Sequence, residues 1–182
     1  VHARADRAEI INMSLGTSTE SRILEKLLAE VGLKSLLIAA AGNSSTNQKV
    51  LPASHPLVIG VGSVNAGSMS RSRFSNYGLN ASVYTFGEDV MSTWPRDSYR
   101  SLSGTSMAAA QFSGLMAAVY SRLDTPLSPA DVFTALEKYQ LTGLKRFERE
   151  DFGLEMQLFS SILFNQHQIS LGKPEMPLPS DI

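Results

Sequence analysis

Two short stretches bring together residue types that acyl transfer requires. In Leu102-Ser103-Gly104-Thr105-Ser106-Met107-Ala108-Ala109-Ala110, a turn-like Ser-Gly-Thr-Ser leads into small and apolar residues that continue to Tyr120. That run has the length and small-residue content of a helix packed in a core. Ser106 then sits at or near the first helical turn. Backbone N–H groups there have no intrahelical partner, and the helix dipole favours negative charge. A serine so placed can be a nucleophile whose oxyanion is held by backbone donors. The plainer reading is that Thr105 or Ser106 is only an N-cap. The second stretch is Ala39-Ala40-Ala41-Gly42-Asn43. The amide of Asn43 is a donor with no charge to titrate away, which suits an oxyanion. Its plainer reading is a turn residue after Gly42.

The elements before these stretches explain how they could meet. Glu9 to Leu15 reads as a buried strand ending at Gly16. Thr17-Ser18-Thr19-Glu20 has a capping-box pattern, and Ile23, Leu24, Leu27, Leu28 and Val31 fall on one helical face before Gly32. Ser35 to Ala41 and Leu57 to Val64 are two further apolar strands, separated by a polar loop at Ser44 to Lys49. Continuous apolar strands alternating with a helix predict an α/β fold, a parallel sheet with helices on both faces. Ligand and catalytic groups gather at the carboxyl ends of such strands, which is where Ser14 to Gly16 and Asn43 fall.

The rest of the chain reads more simply. Asn65 to Gly78 is expected as surface loop, Ala81 to Phe86 and Asp89 to Trp94 as short strands, and Pro95 to Arg100 as a turn. Ser128-Pro129-Ala130-Asp131 starts a helix whose inner face carries Val132, Leu136 and Tyr139. Phe152 to Phe164 is expected to return to the domain. Residues 1–164 are thus read as one unit and residues 165–182, with three prolines from Pro174 on, as an extended tail.

Composition narrows the class. Sixteen Lys and Arg against seventeen Asp and Glu give a net charge of −1, so there is no electrostatic case for nucleic acid or an anionic membrane. There is no cysteine, hence no disulfide framework or thiolate metal site. The longest apolar stretch, near Leu27 to Ala41, is interrupted by Glu30 and Lys34, short of the ~18 apolar residues of a membrane span. The chain begins at Val1 and not Met, so it is expected to be truncated or cut from a longer precursor, with any targeting signal in the missing part.

Ile10-Ile11-Asn12-Met13-Ser14-Leu15-Gly16, Ala39 to Asn43 and Ser103 to Ala108, in this order with Pro52 and Arg73-Phe74-Ser75 between them, closely resemble the subtilisin-like serine proteases, or subtilases. The resemblance runs from about Glu9 to about Gln157 and covers the C-terminal half of that family's catalytic domain. It implies that Ser106 is the nucleophile and that Asn43 donates to the oxyanion beside the backbone N–H of Ser106. It implies that Ser14, Leu15 and Gly16 pair with the substrate backbone and wall one side of the first specificity pocket. Ala40, Ala41 and Gly42 would form the opposite wall, and Thr105 would support the oxyanion hole. Val50 would lie near the pocket floor, where a branched side chain favours small or medium residues before the cut. Asp151-Phe152-Gly153-Leu154 matches the family's final turn. Calcium and a secreted location also follow from the resemblance alone, the ion mainly through segments outside this chain; no carboxylate cluster here has calcium-loop spacing.

The family's triad also needs Asp and His, in the order Asp, His, Ser. Both would lie upstream of Ile10, so the expected partner is a complementary N-terminal fragment carrying them, and the expected substrate a protein or peptide. His2, His55 and His167 lack the family's setting and read as structural or surface residues. Ala110 and Gln111 stand where the family usually has Pro and His, a mark of a divergent branch. The expected reaction is peptide hydrolysis through an acyl-enzyme. Two alternatives stand beside it: a catalytically dead pseudoprotease that binds or scaffolds, and an esterase or amidase on the same frame.

Overall fold

The structure, a computed structural model, describes residues 8–68, 70–121 and 127–138. Four strands form one parallel sheet: β1 (Ile10–Met13), β2 (Leu36–Ala40), β3 (Val58–Val64) and β4 (Val83–Phe86), side by side in that order. The helices are α1 (Arg22–Gly32), α2 (Thr105–Tyr120) and α3 (Pro129–Lys138). Alternation along the strands sorts the core into two faces. Leu36, Ile38, Ala40, Ile59, Val61 and Val83 pack with Ala108, Ala109, Phe112, Met116 and Val119 of α2 and with Val132 and Leu136 of α3. Leu37, Ala39 and Val58 point the other way, onto Leu28 and Val31 of α1. This is the α/β arrangement with helices on both faces that the apolar runs predict. Phe112, fully buried beneath α2, is one of its anchors; truncating such a side chain to alanine costs ~3–5 kcal/mol.

Several local expectations change. Glu9 to Leu15 is expected as a buried strand, but β1 is a short edge strand, only partly buried. Its one described sheet neighbour is β2, so one side of its backbone ladder stays unpaired within the described residues. Helix α1 is capped by Ser21, whose Oγ accepts from the Leu24 N–H at 3.3 Å, not by Thr17. Thr17 is instead held by Leu51, with which it exchanges two backbone hydrogen bonds of 2.8 and 2.9 Å. Ile23 faces outward, 84% exposed. Ser98 to Leu102, expected mostly as turn, is a strand, β6, pairing antiparallel with β5 (Val90–Trp94). Its Ser-Tyr-Arg-Ser-Leu sequence lacks apolar alternation because both faces of the hairpin are largely exposed.

Helix α2 also departs from expectation. It is not enclosed all round: Ala110, Gln111, Gly114, Ala117 and Ala118 form an exposed face of small side chains. A Cβ built on Gly114 meets nothing within 4 Å. The Ser128 start of α3 is as read, with Asp131 N–H donating to Ser128 Oγ and Asp131 Oδ2 accepting from Ser128 N–H. Tyr139, the region around Asp151 to Leu154, Phe152 to Phe164 and the tail from 165 lie outside the described residues, as do His2 and His167.

Candidate functional site

Strands β1 and β2 end side by side, and the chain following each runs past the N-terminus of α2. The helix start is fixed from below: Gly104 N–H donates to Gly87 O at 2.7 Å, and Ser103 Oγ accepts from Asp89 N–H at 2.9 Å. The N-cap is Gly104, which has no side chain to cap with, so neither Thr105 nor Ser106 is the cap. Thr105 and Ser106 are the first two helical residues, one fully buried and one half-buried. Ser106 thus stands in the turn whose N–H groups lack intrahelical partners.

Asn43 is joined to that turn over a long chain separation. Its Oδ1 accepts from the backbone N–H and from the hydroxyl of Thr105, both at 2.9 Å. The Thr105 hydroxyl in turn accepts from Gly42 N–H at 3.0 Å. A backbone N–H can only donate, so the amide atom facing it must be the oxygen. The Nδ2 of Asn43 is therefore on the other side of the amide, with its donors uncommitted to Thr105. Nδ2 and the backbone nitrogen of Ser106 lie 3.5 and 3.8 Å from the point where a Cβ on Gly104 would sit. Two such donors beside a half-buried serine are the elements of an oxyanion site.

The Gly42–Asn43 turn is itself clamped by Asn76, in the stretch expected as surface loop. Asn76 is buried, as are Ser72 and Ser75. Its Nδ2 donates to Ala41 O at 2.9 Å, and its Oδ1 accepts from Ser44 and Thr46 N–H at 3.0 and 3.2 Å. Gly42 has φ +102°, and a Cβ there would collide with that same amide, so the position requires glycine on both counts. Nothing in the amphipathic pattern marks Asn76 or the fully buried Asn80; the only sequence signal is a pair of asparagines in an otherwise polar loop.

On the other side, Ser14, Leu15 and Gly16 run exposed beyond the last β1–β2 pair, Met13 with Ala39. Ser14 Oγ donates to Ser106 O at 3.2 Å and accepts from Asn12 Nδ2 at 3.1 Å. Ser113 Oγ, two turns along α2, lies 3.1 Å from Asn12 Oδ1. These bonds tie the end of β1 to the start of α2. Between the walls lies a cavity of about 430 Å³ lined by Ser14 to Ser18, Ala40, Gly42 to Ser44, Val50, Asn76, Thr105 and Ser106.

Of the residues the sequence analysis singles out, Ser14, Leu15, Gly16, Ala40, Gly42, Asn43, Thr105 and Ser106 all line this cavity. Ala41 does not. Its side chain is fully buried against Val64, Ala81 and Tyr84, its N–H donates to Val61 O and its carbonyl accepts from Asn76. Strand alternation turns it from the wall into the core. His55 lies outside the cavity lining; its Nδ1 accepts from Leu57 N–H at 3.2 Å. Burial holds its pKa below the ordinary value, against the opposing pull of Glu25. Among the described residues no group of three or more His, Cys, Asp or Glu comes together. Among them, too, no helix is long and apolar enough to cross a membrane.

The model of the subtilase family matches residues 1–149. The chain is 38% identical over 123 residues to a thermophilic serine proteinase of Bacillus sp. (strain AK1), covering 67% of this chain and 30% of that protein. It is 37% identical over 122 residues to subtilisin DY of Bacillus licheniformis, covering 64% of this chain and 44% of that protein. Among solved structures it is similar to a cold-adapted subtilisin-like serine proteinase, with TM-score 0.65 and 31% identity over 71% of this chain and 47% of the other. The chain thus spans less than half the length of these relatives. With the family model matching most of its length, this chain belongs to the subtilase family of subtilisin-like serine proteases.

Proposed function

We propose that this chain supplies the nucleophile and the oxyanion donors of a serine endopeptidase. A complementary N-terminal segment supplies the Asp and the His. Ser106 Oγ attacks the peptide carbonyl carbon and gives its proton to that His. The carbonyl oxygen, now negative, is held by Asn43 Nδ2 and the Ser106 backbone N–H. The C–N bond then breaks, the proton passes from His to the leaving amine, and water hydrolyses the acyl-enzyme by the reverse relay. Ser14 to Gly16 pair with the extended substrate as an added strand.

The observation that carries the reading is the double hold of Thr105 on Asn43 Oδ1, which leaves Nδ2 on the side away from Thr105. The place of the complementary segment is supported by two surfaces, the outer edge of β1 and the exposed small-residue face of α2. The test is fluorophosphonate labelling of the full-length protein, with the adduct mapped by mass spectrometry. Label on Ser106, lost in Ser106→Ala, is expected. A folded protein that takes no label there would leave a binding or scaffolding module instead; turnover of esters with no peptide cleavage would leave an esterase.

A further inference from the structure

We infer that Ser113, two turns along α2 from Ser106, is a positioning residue for that serine and acts on it through Asn12 and Ser14. The inference rests on the peptidase reading above and adds to it a hold on the nucleophile from inside the helix. Side chains alternate along β1 and its continuation, so Ile10, Asn12 and Ser14 share the side turned to α2, while Ile11 and Met13 pack on the α1 side. A separation of seven residues is close to two helical turns, which puts Ser106 and Ser113 on one side of α2. The two serines of α2 thus meet the two polar side chains of β1 in pairs, Ser106 with Ser14 and Ser113 with Asn12. Packing alone does not ask for polar groups here. The neighbouring strand β2 turns Leu36, Ile38 and Ala40 to the same helical layer, all of them apolar.

The order of the protons follows from the acceptor at the end of the chain. Ser106 O is a carbonyl and can only accept, so Ser14 Oγ spends its single proton on it, at 3.2 Å. Ser14 Oγ is then the acceptor toward Asn12, and the amide atom beside it is Nδ2, at 3.1 Å. Asn12 Oδ1 is left facing Ser113 Oγ at 3.1 Å and accepts from it. The Ser113 hydroxyl also reaches Ala109 O at 2.8 Å, the carbonyl four residues back, so its proton is shared between helix and strand.

This chain ends on the peptide that follows Ser106. The peptide N–H on the other side, that of Thr105, is held by Asn43 Oδ1. Ser106 therefore stands between two anchors, in a turn whose N–H groups have no helical ladder to steady them. The anchor from β1 sets how the Ser106 carbonyl is turned, and with it the direction of the Cα–Cβ bond that carries the nucleophile.

The test uses the full-length protein and a peptide substrate whose chemical step limits turnover. Ser113→Ala should leave the melting temperature unchanged or raised, because alanine is the better helix former. It should nevertheless lower kcat by ~2- to 10-fold, the range carried by one neutral hydrogen bond, with KM unchanged. Ser113→Thr keeps the hydroxyl and should retain kcat; if it does not fold, the alanine variant and the double variant carry the test. Asn12→Ala should lower kcat at least as much as Ser113→Ala. Adding Ser113→Ala to Asn12→Ala should then cost nothing further, since the link is already cut. Full kcat in Ser113→Ala would overturn the inference, as would losses that multiply in the double variant or a folded Ser113→Thr as slow as the alanine variant. Any of these with the fluorophosphonate label still on Ser106 refutes the positioning role alone. A folded protein with neither label nor cleavage refutes the peptidase reading, and the inference falls with it.

Discussion

Thr105 holds the side-chain oxygen of Asn43 through two bonds of 2.9 Å, one from its backbone N–H and one from its hydroxyl. The pair is 62 residues apart in sequence, so the orientation of Asn43 is a property of the whole sheet. The backbone bond survives any substitution at residue 105 that keeps the helix; the hydroxyl bond survives only serine.

Thr105→Val isolates that hydroxyl. It keeps shape and removes both the bond to Asn43 and the acceptor of Gly42 N–H. Leaving the partly buried Gly42 N–H without its acceptor costs up to ~1–3 kcal/mol, visible in urea unfolding of the full-length protein. Turnover should fall with little change in KM, since the loosened group serves the transition state more than the ground state. Thr105→Ser should retain most of both properties. A valine variant with unchanged kcat would show that Asn43 needs no such hold.

His55 supplies the pH prediction. Burial keeps its folded pKa below the unfolded value of 6.5, so the unfolded chain binds a proton that the folded chain resists. The corresponding stability is present above about pH 6.5 and is lost as the pH falls from there toward the lower folded value. His55→Gln should flatten that loss in melting temperature measured from pH 7.5 to pH 5. It should leave the pH profile of kcat/KM in place, because His55 is outside the cavity lining. A shifted activity profile would assign His55 a catalytic part.

The exposed face of α2 predicts behaviour of the chain by itself. With Ala110, Gly114, Ala117 and Ala118 uncovered, the isolated chain should self-associate or bind the complementary segment tightly. Ala117→Glu should weaken that capture by placing a charge in the contact, while leaving helical content unchanged by circular dichroism. Sedimentation showing a monomeric chain that melts cooperatively and ignores the complementary segment would contradict the proposed partner.

Much of this was legible in the sequence, and the failures have identifiable physics. The apolar runs of β2 and β3 are legible because continuous burial writes continuous apolar runs. Ser106, Asn43 and Ser14 to Gly16 were readable as strand-end and helix-start residues. The Ala-Ala-Ala-Gly-Asn motif does not say which of its side chains alternates into the core, and the structure places that of Ala41 there. Asn76 and Asn80 were missed because buried asparagines that satisfy loop backbones look like solvated loop residues until their partners, 30 or more positions away, are known. β6 was missed because a hairpin exposed on both faces needs no apolar alternation. The α2 face reads as core because its small apolar residues are those of a packed helix; the structure shows it exposed among the described residues.

The most direct measurement is the acylation rate of Asn43→Ala in the full-length protein, followed with a substrate whose chemical step limits turnover. Removing Nδ2 should lower that rate by ~10²–10³-fold, the range known for the oxyanion-hole asparagine of subtilisin itself, while substrate binding changes little. Full acylation rate in a folded Asn43→Ala protein would contradict the account, since the hold of Thr105 on Asn43 would then orient a donor that the reaction does not use.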